Sequence, residues 1–323
     1  MSFVAGIADS TVSLATPLLL AALGEVIAER SGVINLGVEG MMLAGALAGF
    51  AAAVVTNSMW LGVLVGLLAG VSLALVHAVL AVSLNADQVV SGIMITILGI
   101  GLTTLLGRSW VGQSVSGFEE IAVPGLSRLP IVGQAMFNVT ALDYLALALT
   151  PIVWYFLTRT NIGAEITAVG EDPEAADTAG VPVFRIRYGC ILIGGALAGI
   201  AGAQLSVAFT NFWTSEMIAG RGWIAVALVI FGQWRVGSVF LGAYLFAAVD
   251  ALSFRSGDVG LGSEVFGSRL IADVVDVALD PQVMQVYPYL ATVVALWYIM
   301  RRGTLEELGA PNSLVETYSR ERD

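Results

Sequence analysis

The sequence contains no lysine: all fourteen of its basic side chains are arginine. Without lysine there is no GxxxxGK[ST] phosphate loop and no Schiff-base amine, so the chain is not itself a P-loop ATPase. Any ATP that serves it must be hydrolysed by a partner. The single cysteine, Cys190, excludes an internal disulfide, a CxxC redox pair and a thiolate metal cluster. The single histidine, His77, has no second histidine to form a metal site or relay with, and its place in an apolar run reads as a hydrogen-bonded interior side chain, with a proton relay as the alternative. Charge is scarce, at 12% of 323 residues, about half the share of an ordinary soluble domain. What charge there is sums to -11, with a pI near 4.5, which argues against nucleic acid as a partner. An acidic, lysine-free composition fits either adaptation to high salt or a codon bias that replaces lysine by arginine.

Hydrophobic residues make up 57% of the chain and the mean hydropathy is +0.87. Apolar runs fall at Thr11 to Ala28, Val33 to Val55, Met59 to Leu84, Val89 to Leu106, Leu142 to Leu157, Tyr188 to Phe209, Trp223 to Phe231, Val236 to Leu252 and Tyr287 to Met300. This predicts an all-α, polytopic transmembrane helix bundle in a single domain spanning 1–323, with nine spans and a range of eight to ten. The run from Trp223 to Phe231 is short for a bilayer core of about 30 Å. The first nine residues hold no basic residue, so the first run lacks the charged n-region of a cleavable signal and is expected to remain as a span. With the C-terminus cytoplasmic, nine spans put nine arginines inside and five outside, as the positive-inside rule requires. Small residues at helical spacing, Gly45 and Gly49, Gly62, Gly66 and Gly70, Gly195 and Gly199, Ala198 and Gly202, predict close helix crossings.

Two segments carry unusual chemistry. Glu29-Arg30-Ser31-Gly32-Val33-Ile34-Asn35-Leu36-Gly37-Val38-Glu39-Gly40 sets glycines, an amide and a carboxylate at the start of the second span. If Arg30 marks the inner boundary and the chain is helical from there, Glu39 lies about 13 Å deep, near the midplane, with Asn35 on the same helix face. A midplane carboxylate beside clustered glycines points to a substrate pathway at a broken helix. The equally weighted alternative is a carboxylate that caps or braces a neighbouring helix. Glu25 and Glu29, near the same boundary, read as solvated or paired, and Asp250 as solvated near the outer boundary. The second segment lies in the loop 159–187. Asp172-Pro173-Glu174-Ala175-Ala176-Asp177-Thr178-Ala179-Gly180 spells a short helix with an Asp N-cap, proline in its first turn and glycine past its end. Its alanine side suits a shallow groove on another protein; a plain capped connector is the alternative. No Ser/His/Asp set, HExxH or paired catalytic carboxylates occur, so no enzyme active site is expected.

On these segments the chain resembles the membrane permeases of ABC importers for simple sugars and nucleosides, within the wider group of ribose-type and branched-chain amino acid permeases. The likeness covers almost the whole chain and is strongest over Glu29 to Met42, Val169 to Gly180 and the small-residue stretch Gly194 to Gly202. Glu174-Ala175-Ala176 with Gly180 is similar to the EAA-xxx-G coupling signature. The resemblance implies that 159–187 is a cytoplasmic coupling loop docking on ABC ATPase subunits through Glu174, Ala175, Ala176 and Gly180, and that Asn35 and Glu39 lie on the substrate pathway. It implies a second, unlike permease subunit, an extracellular substrate-binding lipoprotein and residence in the plasma membrane. The chain would need no cofactor of its own, with ATP used by the partner, and would move a nucleoside or simple sugar inward by alternating access. The competing classes are a branched-chain amino acid ABC permease, an ion-coupled secondary transporter in which Glu39 or Asp250 carries a proton or sodium ion, and a structural membrane subunit. The absent lysine and the short acidic tail after Arg302 depart from nothing in the shared motifs.

Overall fold

A computed structural model describes residues 3–125, 127, 132–256, 283, 286, 290 and 309–319. Its first helix, α1 (Phe3–Arg30), is the axis of the bundle, with Leu18 through Leu23 buried in unbroken sequence. A helix apolar on every side belongs in an interior. Pro17 sits inside it and lacks the N–H that would return to the Ser13 carbonyl. Gln204 supplies that donor, its Nε2 lying 3.3 Å from the Ser13 oxygen.

After an irregular stretch come α2 (Val38–Thr56), α3 (Met59–Ala78, continued by a π turn Val79–Ser83) and α4 (Gln88–Leu106, ending in a 3₁₀ turn Gly107–Trp110). The connection to the next long helix holds β1 (Glu120–Ala122), a short α5 (Val132–Phe137) and β2 (Asn138–Thr140), with Ile121 opposite Val139 in an antiparallel pair. This small sheet and an isolated antiparallel bridge between Ser114 and Phe212 depart from the all-α expectation. The sheet sits in the polar connection, where backbone can pair outside a span. Then follow α6 (Ala141–Arg159), α7 (Asn161–Glu171), α8 (Pro173–Thr178), α9 (Val183–Ala203, continued by a π turn Gln204–Phe209), α10 (Arg221–Phe231) and α11 (Val236–Ser256).

Among the described residues six helices are long and apolar enough to cross a membrane: Gly6–Arg30, Val38–Thr56, Met59–Ser83, Gln88–Trp110, Ala141–Arg159 and Val183–Phe209; Arg221–Phe231 and Val236–Leu252 are shorter apolar helices. The ninth expected run, Tyr287 to Met300, lies outside the described residues except for Leu290. Burial sorts the six. The apolar stretches of α1 and α9 are 89% and 83% buried, whereas those of α4 and α6 are 33% and 28% buried, α4 turning leucines and isoleucines outward and α6 exposing Ile152, Trp154 and Tyr155.

Backbone contact at small residues seats α9 among α1, α2 and α3. A Cβ added at Gly24 would lie 3.0 Å from the Gly194 Cα, and one at Gly45 2.6 Å from the Gly199 Cα. One at Gly70 would lie 2.8 Å from the Gly199 Cα, and one at Gly202 would overlap the Met42 carbonyl. The small-residue rows in the sequence are therefore the crossing points themselves. Gly202→Ala is expected to destabilise by about 1–3 kcal/mol through overpacking, read as a lower thermal midpoint of the purified protein in detergent. Gly101→Ala, where nothing lies within 4 Å of the added carbon, is expected to leave the midpoint unchanged; equal midpoints for the two variants would contradict the crossing.

Candidate functional site

Residues 31–37, between α1 and α2, are not regular helix and are buried or half-buried throughout. Irregular backbone inside a membrane bundle must find its hydrogen bonds within the protein. Here the donors and acceptors can be traced. The Ser31 and Gly32 amides return to the Ala28 and Glu29 carbonyls at 3.0 and 2.9 Å, with Gly32 at φ +83°. The Ile34 amide donates to Gln88 Oε1 at 2.9 Å, and the Gly37 amide to Asn35 Oδ1 at 3.1 Å. The Ser31 carbonyl accepts from Arg187 Nε at 3.2 Å, and the Leu36 carbonyl from the Thr96 hydroxyl at 2.8 Å. The Ile34 carbonyl accepts from His77 Nε2 at 3.1 Å. A carbonyl only accepts, so Nε2 carries the hydrogen and the neutral ring receives the Ser91 hydroxyl at Nδ1, 3.0 Å away. His77 is thus the hydrogen-bonded interior side chain.

The break in the helix was legible; its extent was not. Asn35 lies in the irregular segment and not on the α2 face with Glu39, because the chain from Ser31 to Gly37 does not follow a 1.5 Å helical rise. The depth of about 13 Å inferred for Glu39 from that rise loses its basis with it. Asn35 is buried, and its Nδ2 donates to Glu25 Oε1 at 3.1 Å. Glu25 and Glu29 are not solvated: both are fully buried, and Glu29 Oε2 accepts from the Trp234 indole at 2.6 Å.

Glu39 binds the start of α10. Its Oε1 accepts from the Gly220 amide at 2.9 Å and its Oε2 from the Gly222 amide at 2.7 Å. With 11 residues α10 covers about 16 Å, and Gly222 in its first turn is buried against Glu39. Its first amides have no helical acceptor, and a carboxylate at this positive end of the helix dipole meets them. Gly220, at φ +82°, and Gly222, where an added Cβ would lie 2.6 Å from the Glu39 Cα, permit the close approach. The capping alternative for Glu39 is what the geometry displays.

The second segment forms α8 as its residues dictate. Asp172 Oδ1 accepts from the Ala175 amide at 2.9 Å, Pro173 opens the helix, and Gly180 follows it at φ +88°. Glu174, Ala175 and Gly180 are exposed. Ala176 is not part of that outer surface; it is buried against Val169, Val183 and Tyr318 of its own chain. The preceding α7 was not anticipated, although Gly163, Ile166, Val169 and Gly170 at helical spacing are its buried face and Thr160 caps its start at the Gly163 amide. A Cβ at Gly170 would overlap the Arg30 carbonyl, so α7 ends directly on the last turn of α1.

The chain's tail returns to the same place. The Ser313 amide and hydroxyl donate to the Gly170 carbonyl at 2.9 and 2.7 Å. Arg187 donates to the Glu316 carbonyl at 3.3 Å and Gln88 to the same oxygen at 3.2 Å. Arg187 and Gln88 therefore hold the irregular segment with some of their hydrogens and the tail with others. Neither was singled out from sequence. A polar residue at the first turn of an apolar run reads as a span boundary, and nothing local tells that it folds inward. Among the described residues no group of three or more His, Cys, Asp or Glu is placed to hold a metal ion.

The chain matches the family described as branched-chain amino acid transport system / permease component over residues 7–279. It is similar to the putative glucose ABC transporter permease protein of Haloferax volcanii, 51% identical over 100% of each chain. It is similar to the guanosine ABC transporter permease protein of Bacillus subtilis, 34% identical over 94% of this chain and 95% of the relative. A glucose ABC transporter permease protein also from Haloferax volcanii is 27% identical over 77% of this chain and 69% of its own length. No solved structure matches.

Replacing Glu39 by glutamine leaves one oxygen where two amide donors need acceptors, and sets a buried NH₂ against an N–H. Glu39→Gln is expected to destabilise by about 1–3 kcal/mol, seen as a lower thermal midpoint and as faster proteolysis near 220. A variant as stable and as protected as the parent would remove the capping role.

Proposed function

Because the chain belongs to the family of branched-chain amino acid transport system permease components, and as an ABC importer permease is a membrane transport subunit and not an enzyme, we propose that it admits a simple sugar, with glucose as first candidate. The single observation that carries the solute is the 51% identity, end to end, to a relative named for glucose. The guanosine relative, 34% identical over 94% of this chain, supports a nucleoside as second reading. Both are polyhydroxylated rings, one bearing a base.

In this reading the spans alternate between outward and inward access, driven by ATP hydrolysed in partner ATPase subunits. The end of the bundle that carries α8 faces the cytoplasm, and the membrane is the plasma membrane. The arm 159–187 is a coupling loop within one permease domain, and it presents Glu174, Ala175 and Gly180 to the ATPase while Ala176 anchors it from behind. Motion of α8 passes through α7 to the Arg30 carbonyl and through Arg187 to Ser31. The solute route runs past the irregular segment and the start of α10, where Asn35 and Glu39 act as positioning residues. A binding lipoprotein delivers solute from outside. A second, unlike permease subunit completes the pore, in line with the occurrence of two different glucose permease relatives in one organism.

The test is reconstitution of this chain with its ATPase, companion permease and binding protein in vesicles. The chain purified alone is expected to hydrolyse no ATP, and the assembly to take up labelled glucose only with ATP inside, insensitive to protonophore. Ala175→Arg, at an exposed position, is expected to lower ATPase co-purification and uptake by about tenfold or more with an unchanged thermal midpoint. Uptake of guanosine and not glucose would select the nucleoside reading; uptake without ATP, collapsed by protonophore, would overturn the ABC mechanism for this chain.

A further inference from the structure

A cavity of about 400 Å³ lies between the end of α6 and the start of α11, and its lining includes neither Asn35 and Glu39 nor any residue of α8. Arg30 and Arg235 both line it, with the hydroxyl residues Thr158 and Ser238, and Trp154 and Leu241 complete its wall. Among the described residues no carboxylate lines it. Two guanidinium groups converging on one hollow repel each other unless an anion joins them.

The arrangement is held in place and not improvised. Arg30 Nε donates to the Trp234 carbonyl at 3.1 Å, while the buried Trp234 indole is fixed on Glu29. The turn carrying Arg235 is tight, with Gln233 and Trp234 at φ +53° and +52°. Directly after it α11 begins, with no acidic residue in its first turn. The first return bond of that helix is from the Val239 amide to the Arg235 carbonyl at 3.0 Å. The amides of Val236, Gly237 and Ser238 are thus left without helical acceptors, at the positive end of the dipole.

Away from the arginines the surface becomes apolar. Leu241 and Leu245 on α11 are 67% and 70% exposed, and Ile152, Trp154 and Tyr155 on α6 are exposed as well. Arg159 lies over the Trp154 ring at 5.9 Å, the pairing of cation and aromatic expected at a membrane–water boundary. A cationic mouth continued by an apolar strip matches one class of molecule in a membrane: a lipid with a charged phosphate and acyl chains.

We propose that this groove binds an anionic phospholipid, its phosphate between Arg30, Arg235 and the first turn of α11, and its chains along Leu241 and Leu245. A free phosphate would use the polar contacts and leave the apolar strip bare. The site needs only the arginine pair and the groove, and stands whichever solute the chain moves.

The test uses the full chain in mixed micelles of phosphatidylglycerol and phosphatidylcholine with identical acyl chains, counting retained lipid by native mass spectrometry. The parent is expected to prefer phosphatidylglycerol on the order of tenfold. Arg235→Gln is expected to cut that preference about fivefold. Ser238→Glu adds a carboxylate where the α11 dipole favours one, so the helix is supported while phosphate is repelled; it should lose the preference too. Arg108→Gln, exposed at the far end of α4, should keep it. Equal retention of both lipids by the parent, or an undiminished preference in Arg235→Gln and Ser238→Glu, would overturn the site. Full displacement of the lipid by millimolar inorganic phosphate would make it a free-anion site and overturn the lipid assignment.

Discussion

A backbone amide or carbonyl without a partner costs several kcal/mol in hydrocarbon, which is why spanning segments are ordinarily helices. Residues 31–37 break that rule inside the bundle, and much of the surrounding polar chemistry exists to meet the consequence. Gln88 reaches the segment from α4, His77 from α3, Arg187 from α9 and Thr96 from further along α4. Holding this segment explains why so apolar a chain keeps these four polar side chains buried. Glu39 answers the same constraint one step on, by meeting the first amides of α10.

These bonds do more than close the backbone. Arg187 and Gln88 each also hold the Glu316 carbonyl, and Ser313 in that tail holds Gly170 at the end of α7. With α7 seated on the Arg30 carbonyl and Arg187 on the Ser31 carbonyl, the arm that carries α8 rests on the end of α1 and on the start of the segment. Beneath α8 the apolar cluster of Ala176, Val169, Val183 and Tyr318 is thus backed by a set of directional hydrogen bonds.

Sequence made parts of this visible for identifiable reasons. The span segments appeared because hydropathy and length are local properties. The glycine rows announced close crossings, since only small side chains permit them. The capping residues of α8 lie within one turn of what they cap, so Asp172, Pro173 and Gly180 could be read directly. Partners far apart along the chain could not. Nothing near Glu39 says that Gly220 and Gly222 meet it, and nothing near Ala176 says that Tyr318 covers it. Glu25 and Glu29, four residues apart, read from sequence as either solvated or paired; Asn35 and Trp234, far from view in the sequence, are the partners that hold both in the interior. The irregular segment itself was only half legible: its glycines marked a break, but how many residues the break consumes depends on side chains from three other helices.

The most direct measurement of this constraint is amide hydrogen exchange in the purified full chain, resolved across 31–41, in the parent and in Gln88→Leu. If side chains hold the segment, Ile34 in the parent exchanges as slowly as the first turns of α2, and Gln88→Leu speeds it by about fivefold or more, the worth of one lost hydrogen bond. Exchange of Ile34 in the parent at the rate of the exposed connection near Gly112, or no change on losing Gln88, would contradict it.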